Sequence, residues 1–126
     1  MGAERPVSVS AGGYHCLALT GSGSIWSWGQ GGLGALGHRD GQHQCEPKKV
    51  EAFDERVIAV SAGYEHSLAL AADGALWSWG DGEYGKLGHG GWQSELLPKK
   101  VEALAGWRVV AVSAGGEHSL ALTADG

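Results

Sequence analysis

One segment of this chain occurs three times. Ser10-Ala-Gly-Gly-Tyr-His-Cys-Leu-Ala-Leu19 returns as Ser61-Ala-Gly-Tyr-Glu-His-Ser-Leu-Ala-Leu70 and again as Ser113-Ala-Gly-Gly-Glu-His-Ser-Leu-Ala-Leu122, at spacings of 51 and 52 residues. Between these anchors Trp26-Ser-Trp-Gly29 matches Trp77-Ser-Trp-Gly80, and Leu36-Gly-His38 matches Leu87-Gly-His89. Pro47-Lys-Lys-Val-Glu-Ala52 likewise matches Pro98-Lys-Lys-Val-Glu-Ala103. The repeats run over residues 10–60, 61–112 and 113–126, the last only begun. Units of this size cannot enclose a core alone, so each must bury its faces against its neighbours.

Within a unit the pattern is β. Residues 57–62 form a β-branched alternating run, and residues 66–71 alternate Leu68 and Leu70 with small Ser67 and Ala69. Ala72-Asp73-Gly74 is a hairpin signal, residues 76–79 a third strand, and residues 99–103, after Pro98, a weaker fourth. Four short antiparallel strands per unit is the economy of a β-propeller blade, and the fold class is all-β. Nothing shows a helical period. The 23 glycines, about 18% of the chain against a usual ~7%, recur at corresponding positions and read as blade turns. They include 12, 63 and 115; 23 and 74; 29 and 80.

Composition excludes several other classes. Collagen needs glycine at every third position with abundant proline, and disorder sits badly with six Trp and 43% hydrophobic residues. A formal charge of −5 makes direct nucleic-acid binding unfavourable. Cys16 and Cys45 show no disulfide framework or metal-ligand spacing, and no cofactor is expected. The opening Met-Gly-Ala-Glu-Arg-Pro lacks the apolar core of a leader, and no apolar run is long enough to span a membrane. These readings point to the cytoplasm or nucleus.

The motifs Ala-Gly-x-x-His-Ser-Leu-Ala-Leu, Asp-Gly-x-Leu-Trp-Ser-Trp-Gly and Gly-x-Leu-Gly-His together resemble the regulator of chromosome condensation repeat, over nearly the whole chain. The resemblance implies a propeller, seven-bladed in the family's best-known members, with function on the loops of its two faces. It also implies roles that differ widely: nucleotide exchange on the GTPase Ran with nucleosome binding, UV-B perception, and partner binding in ubiquitin ligases and ciliary proteins. A fold does not specify which of these applies. In the UV-B photoreceptor the chromophore tryptophans precede the repeat's histidine, where this chain has Gly13-Tyr14, Tyr64-Glu65 and Gly116-Glu117. That role is disfavoured.

Repetition supplies an internal control: a residue present in every unit serves the blade, whereas one peculiar to a unit is free to serve a partner. His15, His66 and His118 share one position, and His38 and His89 another, which fits structural hydrogen bonding better than a metal or a general base. The pairs Trp26/Trp28 and Trp77/Trp79 share a strand face and read as packing. The glycine-rich loops lack a following helix and read as turns rather than phosphate cradles, and the paired lysines read as solvated strand edges. No catalytic constellation stands out. Arg39, Trp92, Glu95, Leu96 and Trp107 differ between units and are the first candidates for partner contact, with Tyr14, Tyr64 and Glu117 second.

The function expected is a non-enzymatic protein-interaction module. The alternatives are a guanine-nucleotide exchange factor for a Ran-like small GTPase, or a chromatin-binding adaptor. The two complete units differ by one residue in length, so neither carries an inserted wedge for exchange. Two units and part of a third cannot close a seven-bladed ring, so further copies or the rest of a longer chain are expected to complete it. The isolated chain is expected to self-associate or behave poorly.

Overall fold

A computed structural model describes residues 4–126; Met1–Ala3, part of the stretch read above for a leader, lie outside it. Strands β1 (Pro6–Ala11), β2 (His15–Thr20), β3 (Ile25–Gly29) and β4 (Gln44–Lys49) form one antiparallel sheet in that order. A second sheet repeats the order with β5 (Val57–Ala62), β6 (His66–Ala71), β7 (Leu76–Gly80) and β8 (Glu95–Lys100). The remaining pair, β9 (Val109–Ala114) and β10 (Ser119–Thr123), begins a third. These are all-β propeller blades, and the chain covers only part of a ring.

β5 touches β1 on one side and β9 on the other across the blade boundaries, which makes these the inner strands and leaves β4 and β8 as the outer edges. The core lies at the seams. Leu17, Leu19, Ile25 and Val50 of the first blade meet Val57, Ala62, Ala69 and Trp79 of the second. Leu68, Leu70, Leu76 and Val101 of the second meet Val109 of the third. A strand between two seams is buried on both faces, which explains why every residue of β6 is buried despite its alternation. Each buried Leu or Val contributes about 1.5–3 kcal/mol.

The outer strand lies four residues before its expected place. β8 runs from Glu95 to Lys100 and contains Pro98, while Glu102–Leu104 is a 3-10 turn. Ser78 pairs with Lys99 and Gly80 with Glu95, so the outer strand bulges between these pairs, and Pro98 sits in the bulge. An edge strand with a bulge tolerates a residue that cannot donate to the ladder. Proline therefore does not mark the strand's start.

Glycine has two distinct uses here. Gly74 has φ +90 and closes the β6–β7 hairpin, its N–H donating to the Ala71 carbonyl at 3.0 Å. Gly12 and Gly63, read above as turns, have no positive φ; instead the blades approach through them. A Cβ on Gly12 would land on the Gly63 carbonyl oxygen, and one on Gly63 would meet the Gly115 carbonyl oxygen at 2.6 Å as well as the His66 ring. Gly63→Ala is therefore expected to cost about 2–3 kcal/mol by overpacking two blades at once. Gly91→Ala, with nothing near its Cβ position, is expected to stay within about 0.5 kcal/mol. Urea midpoints of the two variants check this, and equal midpoints would refute it.

Candidate interaction face and blade seams

Backbone hydrogen bonds define two faces. Gln30 N–H donates to the Tyr14 carbonyl at 2.8 Å and Asp81 N–H to the Glu65 carbonyl at 2.9 Å, joining the β1–β2, β3–β4, β5–β6 and β7–β8 loops on one face. Val57 N–H to Gly23 at 3.0 Å and Ala72 N–H to Arg56 at 2.8 Å place the β2–β3 hairpin and β4–β5 connection on the other.

Four aromatic rings stand in solvent on the first face. Tyr14 and Tyr64 are 59% and 57% exposed with centroids 6.4 Å apart. Tyr84 and Trp92 are 60% and 65% exposed, 5.3 Å apart and tilted. The other candidates lie elsewhere. Arg39 is on the blade's outer flank beside Lys48 and Leu97, at the edge of a 350 Å³ cavity. Its φ is +76, a left-handed conformation for which the second blade supplies Gly90. Its N–H donates at 3.1 Å to the carbonyl of Leu96, so Leu96 helps close the seam through its backbone while its side chain stays partly exposed. Glu95 lies 3.6 Å from Lys99 on the outer strand. Trp107 is exposed on the opposite face, lining a 270 Å³ cavity with Arg108, Asp73 and Leu104. The structure thus brings Tyr14 and Tyr64 together, sets Trp92 beside Tyr84, and separates Arg39 and Trp107 from both.

Glu117 belongs to an ionic triad. Lys86 Nζ lies 2.6 Å from Asp81 Oδ2 and 2.7 Å from Glu117 Oε1, with its side chain almost fully buried between the second and third blades. Burial pulls the lysine's pKa down, but hydrogen bonds and charge from Asp81 and Glu117 more than reverse that and leave it raised. Burial raises the Asp81 carboxyl, and the bond to Lys86 overrides this to leave it lowered. Asp81, Lys86 and Tyr84 were not among the candidates. The signal was available, because the first blade has Gln30, Ala35 and Leu33 at those positions.

The repeated histidines bridge or brace the blades. His15 Nε2 lies 2.8 Å from Ser67 Oγ, and His66 Nε2 lies 3.0 Å from Ser119 Oγ, each across a seam. Those hydroxyls donate to the carbonyls of Ala35 and Lys86 at 2.8 Å, so the imidazole must donate from Nε2 and keep Nδ1 unprotonated. Burial is the main cause that lowers both pKa values to about 4. His38 and His89 bond within their blades, to Ser27 and Ser78 at 2.9 Å, and burial lowers them too. His118, at the same position as His15, is exposed. Trp79 is fully buried, while Trp26, Trp28 and Trp77 are partly so. Among the described residues no group of three His, Cys, Asp or Glu could hold a metal ion, and no helix is long and apolar enough to cross a membrane.

A family model described as the regulator of chromosome condensation (RCC1) repeat matches residues 22–70 and 73–122, and a second model of that description matches residues 7–35 and 57–86. The E3 ubiquitin-protein ligase HERC2 of Homo sapiens is 46% identical over 123 residues, covering 95% of this chain and 2% of the ligase. The ultraviolet-B receptor UVR8 of Arabidopsis thaliana is 37% identical over 123 residues, covering 97% of this chain and 28% of the receptor. Prp20p from Saccharomyces cerevisiae has a similar structure, with TM-score 0.89 and 24% identity over 98% of this chain and 32% of that one. Human WBSCR16 gives TM-score 0.87 and 32% identity over the same shares. The chain therefore spans less than a third of the two curated relatives' length.

Proposed function

Because this chain belongs to the regulator of chromosome condensation repeat family, we propose that it works as a protein-interaction module, docking a partner on the loop face of its blades. The observation that carries this is the set of four exposed rings, Tyr14, Tyr64, Tyr84 and Trp92, on one face. These rings are more than half exposed and stand outside the buried seam clusters, and such side chains anchor interfaces by filling a partner's pockets. The scaffold beneath them is stiff, since backbone bonds tie adjacent loops together, and a pre-organised face loses less freedom on binding. Arg39 fits the same reading, because it is exposed and keeps a left-handed backbone where the second blade has Gly90. Its partner contact would be on the outer flank, and that of Trp107 on the opposite face. A cytoplasmic or nuclear setting goes with this reading.

The alternative is guanine-nucleotide exchange. Prp20p has binding properties toward Gsp1p and histones, and this chain's loop face carries Glu65, Glu83 and Glu117 with its one lysine, Lys86, already paired. Affinity capture from a nuclear and a cytoplasmic extract tests the two together. A Tyr14→Ser/Tyr64→Ser/Trp92→Ser variant with unchanged thermal stability is expected to lose bound partners by about 30-fold or more, since interface anchors contribute upward of ~2 kcal/mol each. A partner set indifferent to the three substitutions would sink the proposal. Acceleration of nucleotide release from a small GTPase would replace it with the exchange reading.

A further inference from the structure

The outer flank between the first two blades carries a cleft that neither blade forms alone. This cavity of about 350 Å³ is lined by His38, Arg39, Lys48, Lys49 and Glu51 of the first blade and by Leu97 of β8. Three cations and one carboxylate therefore line it, in a chain whose formal charge is −5. None of the three cations has an ion-pair partner among the described residues, although the charge of Lys49 is felt at Glu4. Arg39 and Lys48 are exposed, and Lys49 is half-buried. The Arg39 backbone is pinned beside the cleft by its N–H bond to the Leu96 carbonyl, at 3.1 Å across the seam. The second blade supplies the contrast. There Gly90 stands where the first blade has Arg39, and Lys99, the counterpart of Lys48, lies 3.6 Å from Glu95 on its own strand. The counterpart of Glu95 is Gln44, so Lys48 lacks that neutralising carboxylate. One difference adds a cation to the first blade's cleft, and the other removes an anion from its lysine.

We propose that this cleft is a docking site for a phosphorylated serine or threonine of a protein partner, with Arg39 and Lys48 as its main contacts. A phosphorylated side chain brings a charge of about −1.5 to −2 and three acceptor oxygens, which several unpaired cations match better than they match a single carboxylate. The planar guanidinium of Arg39 takes two of those oxygens together, and the lysine ammonium adds a point charge. Leu97, half-buried on the far wall, offers apolar contact to the residue beside the phosphate. A polyanion does not fit. Asp40 follows Arg39 in the chain, Glu46 shares β4 with Lys48, and Glu51 lines the cleft itself. One phosphate is attracted there, whereas a row of them meets those carboxylates. The site deepens the reading of Arg39 as a partner contact and stands apart from the aromatic loop face.

The probe is a labelled synthetic peptide, Ala-Leu-phosphoserine-Ala-Ala, titrated with the full chain by fluorescence anisotropy. Saturable binding is expected, with the unphosphorylated peptide weaker by about tenfold or more. Arg39→Gly and Gln44→Glu each install the residue that the second blade already carries, so the fold tolerates both. Each is expected to weaken phosphopeptide binding about tenfold without lowering thermal stability. His38 supplies a second readout. Burial and then the Lys48 charge lower its pKa, against the pull of Asp40. With the phosphopeptide bound its imidazole should titrate at higher pH, while that of His89 stays unchanged. The Tyr14→Ser/Tyr64→Ser/Trp92→Ser variant should bind the phosphopeptide as the unsubstituted chain does, so loss of the aromatic face and loss of this site are told apart. Absence of saturable binding at millimolar peptide, equal affinity for the unphosphorylated peptide, or indifference to both cleft variants overturns the proposal. So does tighter binding to vesicles of phosphatidylcholine and phosphatidylserine that the same variants abolish, which would make the occupant a membrane.

Discussion

Acidification from about pH 7 to about pH 4 is expected to remove roughly 6 kcal/mol of stability, most of it within that window. His15 and His66 have pKa values lowered from 6.5 to about 4. At 1.36 kcal/mol per pH unit, each loses about 3 kcal/mol on protonation. Both imidazoles are buried, and Nδ1 of each has no partner among the described residues, so a proton there would add a charged, unpaired donor to a seam. The sign follows. The folded pKa is depressed, so the unfolded chain binds more protons between about 4 and 6.5. Stability is therefore complete above about 6.5, falls as pH drops through the window, and levels off below it. Around His66 the Lys86 charge lowers the pKa further, whereas the His118 backbone and the charges of Asp81 and Glu117 oppose this. Asp81, with its own pKa lowered, adds a loss only below its ordinary value near 3.8. Urea midpoints measured from pH 7.5 to 4 check the slope. His15→Gln with His66→Gln should flatten it, and an unchanged slope in that double variant would falsify the assignment.

Trp79→Ala is the substitution expected to cost most in the first seam, about 3–5 kcal/mol, because it empties a fully buried site shared by two blades. That is comparable with the whole net stability of many domains, about 5–15 kcal/mol. Trp92→Ala, at a residue 65% exposed, should change stability by about 0.5 kcal/mol or less. Trp79→Phe should fall between the two, since it keeps an aromatic ring and removes an indole N–H that has no partner among the described residues. Thermal and urea unfolding of the three variants measure this. If Trp79→Ala cost no more than Trp92→Ala, the seams would not be the core.

The parts of this molecule written in local chemistry are legible in its sequence. β5 and β6 follow from β-branched residues and alternation, and the hairpin at Gly74 from its turn residues. Features produced by blade stacking are not. Gly12 and Gly63 look like turn glycines, and only the neighbouring blade's carbonyl shows why a side chain is forbidden. β8 starts four residues before the place its sequence suggests, because Pro98 resembles a boundary although it sits in a bulge. Glu117 and Lys86 lie 31 residues apart and meet only because the third blade docks on the second. Tyr84 sits in a glycine-rich loop that read as a turn, although its mismatch with Leu33 was in plain view.

That ionic triad has a consequence for assembly. Near-identical blades invite molecules to join wrongly, the second blade of one chain docking on the first blade of another as though it were the third. At such a junction Lys86 would meet Tyr14 where Glu117 belongs, and a cation almost stripped of water would keep only Asp81. Half-compensated buried charge is costly. The first seam, with Ala35 in place of Lys86, imposes no such test. One lysine thus works as a proofreading mark that tells otherwise interchangeable modules which neighbour comes next.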